Sequence, residues 1–318
     1  MKLNFLRKAD IDFEKWDYCI HNAVNGNVYG YSWYISSMAN HWGALVLGDY
    51  KAVFPLVWDR KLFGFKRLYQ PFFTQQHGLY STDVITPDLL RTFLLEAGRQ
   101  FPGISICLNE QNHPIDLPGF SFQARNNYLL PLHQTYDSIR SKYSKSLRKR
   151  LKRVASRYDW IDTPCTVSEL VDLYRQYQGH KLPCTDEDFR RVKGMMQTAI
   201  DRGMGKIIGL KGPDETFEVA GFFLFSHGRI INLLGTSTDV GREHFAMHSL
   251  LDRLIRQHSE THQVLDFEGS SIPSIAYFFS SFGSKNSPYY FLEYNRLPFW
   301  VKGLSNTLRR GTASNRRP

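Results

Sequence analysis

Asp266 and Glu268 flank Phe267 at the end of a short apolar run that begins at Val264. In a strand, alternation puts both carboxylates on one face. Two carboxylates on one face raise at least one pKa by mutual repulsion, and burial raises it further. A carboxylate tuned upward can take a proton from an ammonium nucleophile. Glu268 ranks ahead of Asp266 because it lies nearer the strand end, where ligands of α/β sheets bind. The structural alternative is a carboxylate that caps the following helix or pairs with an arginine under the sheet.

A second chemical candidate lies upstream. The apolar run Arg229 to Gly235 reads as a strand buried on both faces, and the polar turn Thr236 to Gly241 leads into a helix from Arg242 to His258. Thr238 and Asp239 suit a helix cap, and Gly241 allows close backbone approach. Helix starts present free N–H groups, so the backbone from Asp239 to Phe245, with Arg242, forms a candidate anion site. The alternative is an ordinary capped helix that binds nothing. His244 and His248 stand one helical turn apart beside Glu243, but the order is not His-Glu-x-x-His and no cysteine or carboxylate cluster completes a site. No metal is expected there. The chain has no Gly-x-Ser-x-Gly elbow, no Walker loop and no Gly-x-Gly-x-x-Gly after a strand. In the first half, Gln75, Gln76 and His77 sit in an amide-rich run between apolar flanks. They suit recognition of a polar substrate, or equally a hairpin whose amides satisfy the backbone.

The elements that must position these residues recur in the same order twice. In the first half, Leu3 to Leu6 reads as a strand, Asp12 to Val24 and Ser32 to Asn40 as helices, and Ala44 to Leu47 with Ala52 to Trp58 as a hairpin. A strand near Phe65 to Tyr69, a helix from Pro87 to Gln100, a strand from Ile104 to Leu108 and a strand from Asn127 to Leu132 follow. The second half reads as a strand (Asp159 to Asp162), helices (Val167 to His180, and Thr185 to about Ile200) and a hairpin (Lys206 to Leu210 with Glu218 to Phe225). The strand–helix–strand stretch from Arg229 comes next, then a short helix (Pro273 to Ser281) and a strand (Tyr289 to Tyr294). This order is an internal duplication of one α/β unit. Tyr136, Ile139, Tyr143, Leu147, Leu151, Val154 and Tyr158 form one apolar stripe, read as a long linking helix packed on one side. The expected division is 1–132, 133–300 and a disordered basic tail, 301–318.

The 318 residues suffice for two domains, with globular composition at 42% hydrophobic and 22% charged. The net charge of +10 is local: Arg140 to Arg157 holds nine Lys/Arg and no acid, and Val301 to Pro318 holds five and no acid. Removing those charges leaves the rest of the chain at −4. Such runs favour anionic partners, here tRNA or an anionic membrane surface through 140–157, against the alternative of a solvated helix face. Met1 to Asp10 lacks the apolar run of a signal peptide, and no stretch approaches a transmembrane helix. Four widely spaced cysteines without a CxxC pair point to a reduced, cytoplasmic setting.

The chain resembles the GNAT acyltransferases, and more closely their double-domain FemABX-like group. The resemblance rests on Arg242-Glu243-His244-Phe245-Ala246, Leu265-Asp266-Phe267-Glu268-Gly269-Ser270, Phe278-Phe279-Ser280-Ser281-Phe282-Gly283, Tyr289-Tyr290 with Asn295-Arg296-Leu297-Pro298, and the basic segment from Ser144 to Arg150. It covers residues 136–299 well and the first half by element order. It implies an α/β fold with mixed sheets, a tandem duplication of a GNAT-like unit joined by the basic helix. It implies an acyl-CoA donor held by Asp239, Gly241, Arg242, Phe245 and Ala246, an oxyanion stabilised by a backbone N–H of the strand that includes Leu234, and no metal. Two departures stand out. Phe245 replaces the glycine that lets backbone approach a pyrophosphate, and Phe279 replaces both a lysine of the FemABX pattern and a general-acid tyrosine found nearby in simpler relatives. Tyr277, Tyr289 and Tyr290 remain as acids. The acceptor implied is a small-molecule or cell-envelope amine, in a cleft partly lined by Gln75, Gln76 and His77. Two rival readings keep the fold: an aminoacyl-tRNA donor, as in the peptidoglycan-bridge enzymes, and a degenerate, non-catalytic binding protein.

Overall fold

The computed structural model describes residues 2–62, 64–155, 161–163, 165–179, 183–269 and 272–297. The basic tail 301–318 and Tyr158 lie outside the described residues.

The chain divides into two compact units, Met1–Ala124 with the chain from Tyr289 on, and Arg125–Pro288. The first begins with β1 (Leu3–Arg7), α1 (Phe13–Asn22), α2 (Ser32–Met38), β2 (Trp42–Leu47), β3 (Ala52–Leu62) and β4 (Phe65–Tyr69). Then come β5 (Tyr80–Ser81), α3 (Pro87–Gln100), β6 (Gly103–Leu108) and β7 (Phe120–Arg125). Local chemistry sets the helix starts: Asp12 accepts from the Glu14 and Lys15 N–H groups, and Thr86 accepts from Leu89. The second unit holds β8 (Tyr128–Pro131), α4 (Tyr136–Ser141), α5 (Lys145–Ala155), β9 (Ile161–Thr163), α6 (Val167–Gln178) and α7 (Asp186–Asp201). It continues with β10 (Gly205–Lys211), β11 (Phe217–Ser226), β12 (Arg229–Ser237), α8 (Asp239–Glu243) and α9 (Ala246–His258), then β13 (Val264–Asp266), α10 (Pro273–Ser280) and β14 (Lys285–Asn286). Capping boxes at Thr166–Glu169 and Thr185–Asp188 start α6 and α7. The last strand, β15 (Tyr289–Asn295), joins the sheet of the first unit.

The expected duplication is visible in the sheets. The first runs β1-β2-β3-β4-β6-β15-β7, and the second, read from its other edge, β9-β10-β11-β12-β13-β8-β14. Each begins with three antiparallel steps. Each then has one parallel pair, β4 with β6 or β12 with β13, closed by an antiparallel strand, β15 or β8. Two helices precede each first hairpin, and a helical crossover joins each parallel pair, as parallel strands require. The closing strands are exchanged in sequence. β8 precedes the elements whose sheet it completes, and β15 follows the second unit but pairs with β6 through Tyr290↔Leu108 to Asn295↔Gly103. The units therefore depart from the 1–132 and 133–300 division at β8 and β15. Alternation and apolarity read a strand well but do not name its partner.

In the second unit the core joins α4, α5, α9 and α10 to the sheet through Ile139, Tyr143, Leu147, Leu151, Leu250, Leu254, Phe267 and Phe282. Burying each large apolar side chain contributes roughly 1.5–3 kcal/mol, so the stripe that α5 presents is a substantial anchor. The long basic helix is broken, however. Ser144 N–H donates to Ser281 O at 2.8 Å, and Ser144 Oγ accepts from Leu147 N–H at 3.1 Å, capping α5. The stripe stays buried on both sides of this break. The helix expected from Arg242 is also two: Phe245 is left-handed at φ 55°, ending α8 and opening α9. Strands Tyr80–Ser81 and Phe120–Arg125 had no counterpart in the sequence reading.

Candidate functional site

Parallel pairing of β12 with β13 is short. It runs Arg229↔Val264, Ile230↔Leu265 and Ile231↔Asp266, and stops. β12 continues to Ser237, hydrogen-bonded only to β11 and bulged between the pairs Phe222↔Leu234 and Phe223↔Asn232. From Asn232 onward the other edge of β12 is thus without a strand partner among the described residues. Along such an edge alternate N–H and C=O groups point into the gap. Two side-chain atoms of this segment, Asn232 Oδ1 and Thr236 Oγ1, are buried with no hydrogen-bond partner among the described residues. An orphaned buried polar atom costs about 1–3 kcal/mol, so two on one open edge require a reason. The start of α9 adjoins the edge: a Cβ at Gly235 would meet Met247 Cε at 2.9 Å and Asn232 Oδ1 at 3.6 Å.

β13 ends at Asp266, two residues short of the expected end at Glu268. Asp266 is buried, pairs with Arg229 Nη1 at 2.9 Å and accepts from Asn127 Nδ2 at 3.3 Å. Its other oxygen accepts the Glu268 N–H at 2.9 Å. This turn swings the chain out of the strand, and Glu268 is left-handed at φ 58°. The two carboxylates therefore do not share a strand face. Asp266 is the arginine-paired structural carboxylate, and Glu268 is the half-buried one beyond the strand end. Phe267, between them, stacks on Phe279 at 5.2 Å. Phe279 is itself core, which accounts for an aromatic where the FemABX pattern has lysine.

Four N–H groups of the turn offered as an anion site are already used within it. Gly241 N–H donates to Thr238 Oγ1 at 3.0 Å, Arg242 N–H to Thr238 O at 2.9 Å, His244 N–H to Val240 O at 2.9 Å and Phe245 N–H to Arg242 O at 3.1 Å. Thr238 is the cap, while Asp239 is exposed and pairs with Arg242. The Arg242 guanidinium also lies 5.4 Å over the Tyr177 ring. Gly241 is required, but by β11: a Cβ there would stand 2.0 Å from Glu218 O. Ala246 is fully buried. Leu234 is buried and pairs with Phe222 in the bulged ladder.

Phe245 is a platform. The Arg150 and Arg153 guanidinium carbons of α5 lie 5.1 and 5.7 Å from its ring centre. Arg150 Nη1 also lies 3.2 Å from His248 Nε2, and burial, aided by Arg150, lowers the His248 pKa to about 4. His248 is thus neutral and accepts that bond. His244 turns to the buried Glu218, with Nδ1 to Oε2 at 2.9 Å. The two histidines serve different partners.

In the first unit, Gln75, Gln76 and His77 lie in the segment that follows β4. Gln76 Oε1 accepts from Glu110 N–H at 3.1 Å, and its amide donates to Gln75 Oε1 at 2.8 Å. Burial lowers the His77 pKa to about 4. Tyr289 and Tyr290 are in β15 and so belong to the first unit, while Tyr277 on α10 is 59% exposed.

Sequence reasoning passed over Asn232, Thr236 and Glu218. A signal existed for the first: Asn232 interrupts Ile230-Ile231 and Leu233-Leu234 inside a strand read as buried on both faces. A polar residue there must find a partner or a use.

No protein-family model matches the chain, and no curated protein does. Solved structures do. FemX matches over 93% of this chain and 98% of its own, at 12% identity and a TM-score of 0.63. A conserved protein of unknown function from Bacteroides thetaiotaomicron matches over 90% and 98%, at 13% identity and 0.60. L-PGS from Bacillus licheniformis matches over 96% and 97%, at 12% identity and 0.50. At such identities the likeness is one of fold.

Proposed function

We propose, for a chain that has the GNAT-like double-domain fold of FemX, that it is an N-acyltransferase whose second unit performs the chemistry. The observation that carries this reading is the open edge of β12 beyond Ile231, with its orphaned Asn232 Oδ1 and Thr236 Oγ1. An acyl donor laid along that edge would pair with its backbone N–H and C=O groups, as an added strand does, with the side chains of Asn232 and Thr236 beside it for the donor's other polar groups. An amine attacks the donor carbonyl, and an outward N–H of β12 stabilises the oxyanion. The C–N bond forms, the bond to the carrier breaks, and the amine proton passes through Glu268 to the departing carrier atom. Asp266 stays ion-paired to Arg229 and holds the turn that presents Glu268.

Acyl-CoA is the first donor class. A second, aminoacyl-tRNA, is favoured by one observation: Phe245 is covered by Arg150 and Arg153 of a helix with no acid in its sequence, while the Gly241–Phe245 amides are already used. A polyanionic carrier would meet positive charge there and would not need a pyrophosphate loop. Incubating the protein with labelled acyl-CoA or aminoacyl-tRNA and simple amines tests both. Glu268→Gln is expected to lower turnover by roughly 10²–10⁴-fold with donor affinity kept, and less so at high pH, where the amine is already neutral. Parallel pH–rate profiles for wild type and Glu268→Gln would remove Glu268 as the base.

A further inference from the structure

The second unit contains a cavity of about 540 Å³ between α4, α5 and α9 that involves neither β12, β13 nor the turn between β12 and α9. Four cations line it: Arg140 from α4, Lys152 from α5, and Arg253 and Arg256 from α9. Among the described residues only two acids, Asp137 and Asp252, accompany them. Asp252 is already engaged, since Tyr136 Oη donates to its carboxylate with both oxygens at 2.9 Å. Burial pushes the Asp252 pKa up, and burial together with Asp252 pushes the Tyr136 phenol to about 12, so the phenol stays a donor. Arg256 is laid flat by Tyr136, its guanidinium carbon 5.0 Å from the ring centre. Arg140 carries its charge beside Asp252, and its Nε is buried with no hydrogen-bond partner among the described residues.

Four cations against two acids leave the cavity with a surplus of positive charge, and guanidinium groups can only donate, so the complement of this lining is an oxyanion. Guanidinium forks match tetrahedral oxyanions in paired hydrogen bonds, which single ammonium groups do not. We infer that this cavity is a phosphate site, distinct from the acyl-transfer edge and large enough for a phosphate with an attached organic group. The phosphate belongs either to a small phosphorylated molecule or to one position of a polynucleotide chain, and the chemistry of recognition is the same. This inference does not rest on the acyl-transfer reading.

The test titrates the full chain with inorganic phosphate, AMP, adenosine and a short single-stranded RNA by calorimetry at two salt concentrations. Wild type should bind AMP and not adenosine. Arg140→Gln should weaken phosphate-bearing probes by roughly tenfold or more, because a charge-assisted bond is lost. Its melting temperature, recorded beside the titration, separates loss of binding from loss of fold. Arg256→Gln serves as the second variant should Arg140→Gln fail to fold. Arg148→Gln, at an exposed position on α5, should have little effect on AMP. RNA bound more tightly than AMP, with a steep salt dependence and sensitivity to Arg140→Gln, identifies a polynucleotide, whereas AMP bound at least as tightly identifies a small molecule. The inference is overturned if wild type binds no phosphate probe at low salt, if adenosine binds as well as AMP, or if Arg148→Gln weakens AMP as much as Arg140→Gln does.

Discussion

The two units build the same parallel pair and treat its end in opposite ways. In the first, β4 and β6 pair from Arg67↔Gly103 to Tyr69↔Ser105, and the following segment then fills the gap. Gln70 Oε1 accepts from Cys107 N–H at 3.0 Å, His77 N–H donates to Cys107 O at 2.8 Å, and His77 O accepts from Asn109 N–H at 2.5 Å. In the second, β12 and β13 part after Ile231↔Asp266, and the chain beyond β12 turns away into α8. The gap keeps an open edge and two orphaned oxygens. Duplicated topology therefore supplies two potential sites: in one the chain itself fills the backbone edge, although His77 Nε2 there is also buried without a partner among the described residues, and in the other the edge stays open.

Gln70 tests the closed gap most severely. Gln70→Leu would strip Cys107 N–H and Thr74 O of their amide partners. It should destabilise the first unit by about 2–4 kcal/mol, read by urea unfolding, because each orphaned backbone group costs about 1–3 kcal/mol. Turnover per folded molecule should not change. A stable Gln70→Leu protein with impaired transfer would reverse the roles assigned to the two gaps.

Acid gives the next effect. His77 and His248 are neutral when folded, with pKa values lowered to about 4, and would protonate near 6.5 when unfolded. A depressed histidine pKa contributes stability that is fully present above about 6.5 and is lost as pH falls toward about 4. The expected slope is roughly 1.4 kcal/mol per pH unit and per histidine. His77→Asn should flatten that slope for the first unit alone. An unchanged slope in that variant would mean His77 is already protonated in the fold.

The smallest effect is expected at Arg242, whose partner Asp239 is exposed. Arg242→Ala should change donor affinity by less than about threefold, since such pairs contribute about 0–1 kcal/mol. A tenfold loss in calorimetry would return the α8 turn to the donor site.

Much of this contrast was written in the sequence. The strand and helix order, the duplication, the buried stripe of α5 and a cap at Asp10 or Asp12 and at Thr185 or Asp186 follow from periodicity and cap chemistry, which act within a few residues. What sequence did not reveal came from contacts distant along the chain. The break before α5 is made by Ser281, and the need for glycine at 241 by Glu218. The departure of Glu268 from its strand is a local turn onto Asp266, but Asp266 is fixed there by Arg229 and Asn127. Alternation alone predicted the opposite geometry. The sheet exchange of β15 has no local signature at all.

The central claim is that the open edge of β12 binds the acyl donor. Asn232→Leu combined with Thr236→Val removes both orphaned oxygens while keeping side chains of similar size. The decisive measurement is acyl transfer by this variant, from whichever donor the wild type accepts, with its melting temperature recorded beside it. The expected result is an unchanged or raised melting temperature, because no protein hydrogen bond is lost, and a fall in kcat/KM of at least about tenfold for each donor contact removed. A variant that folds as the wild type does and transfers as fast would contradict it.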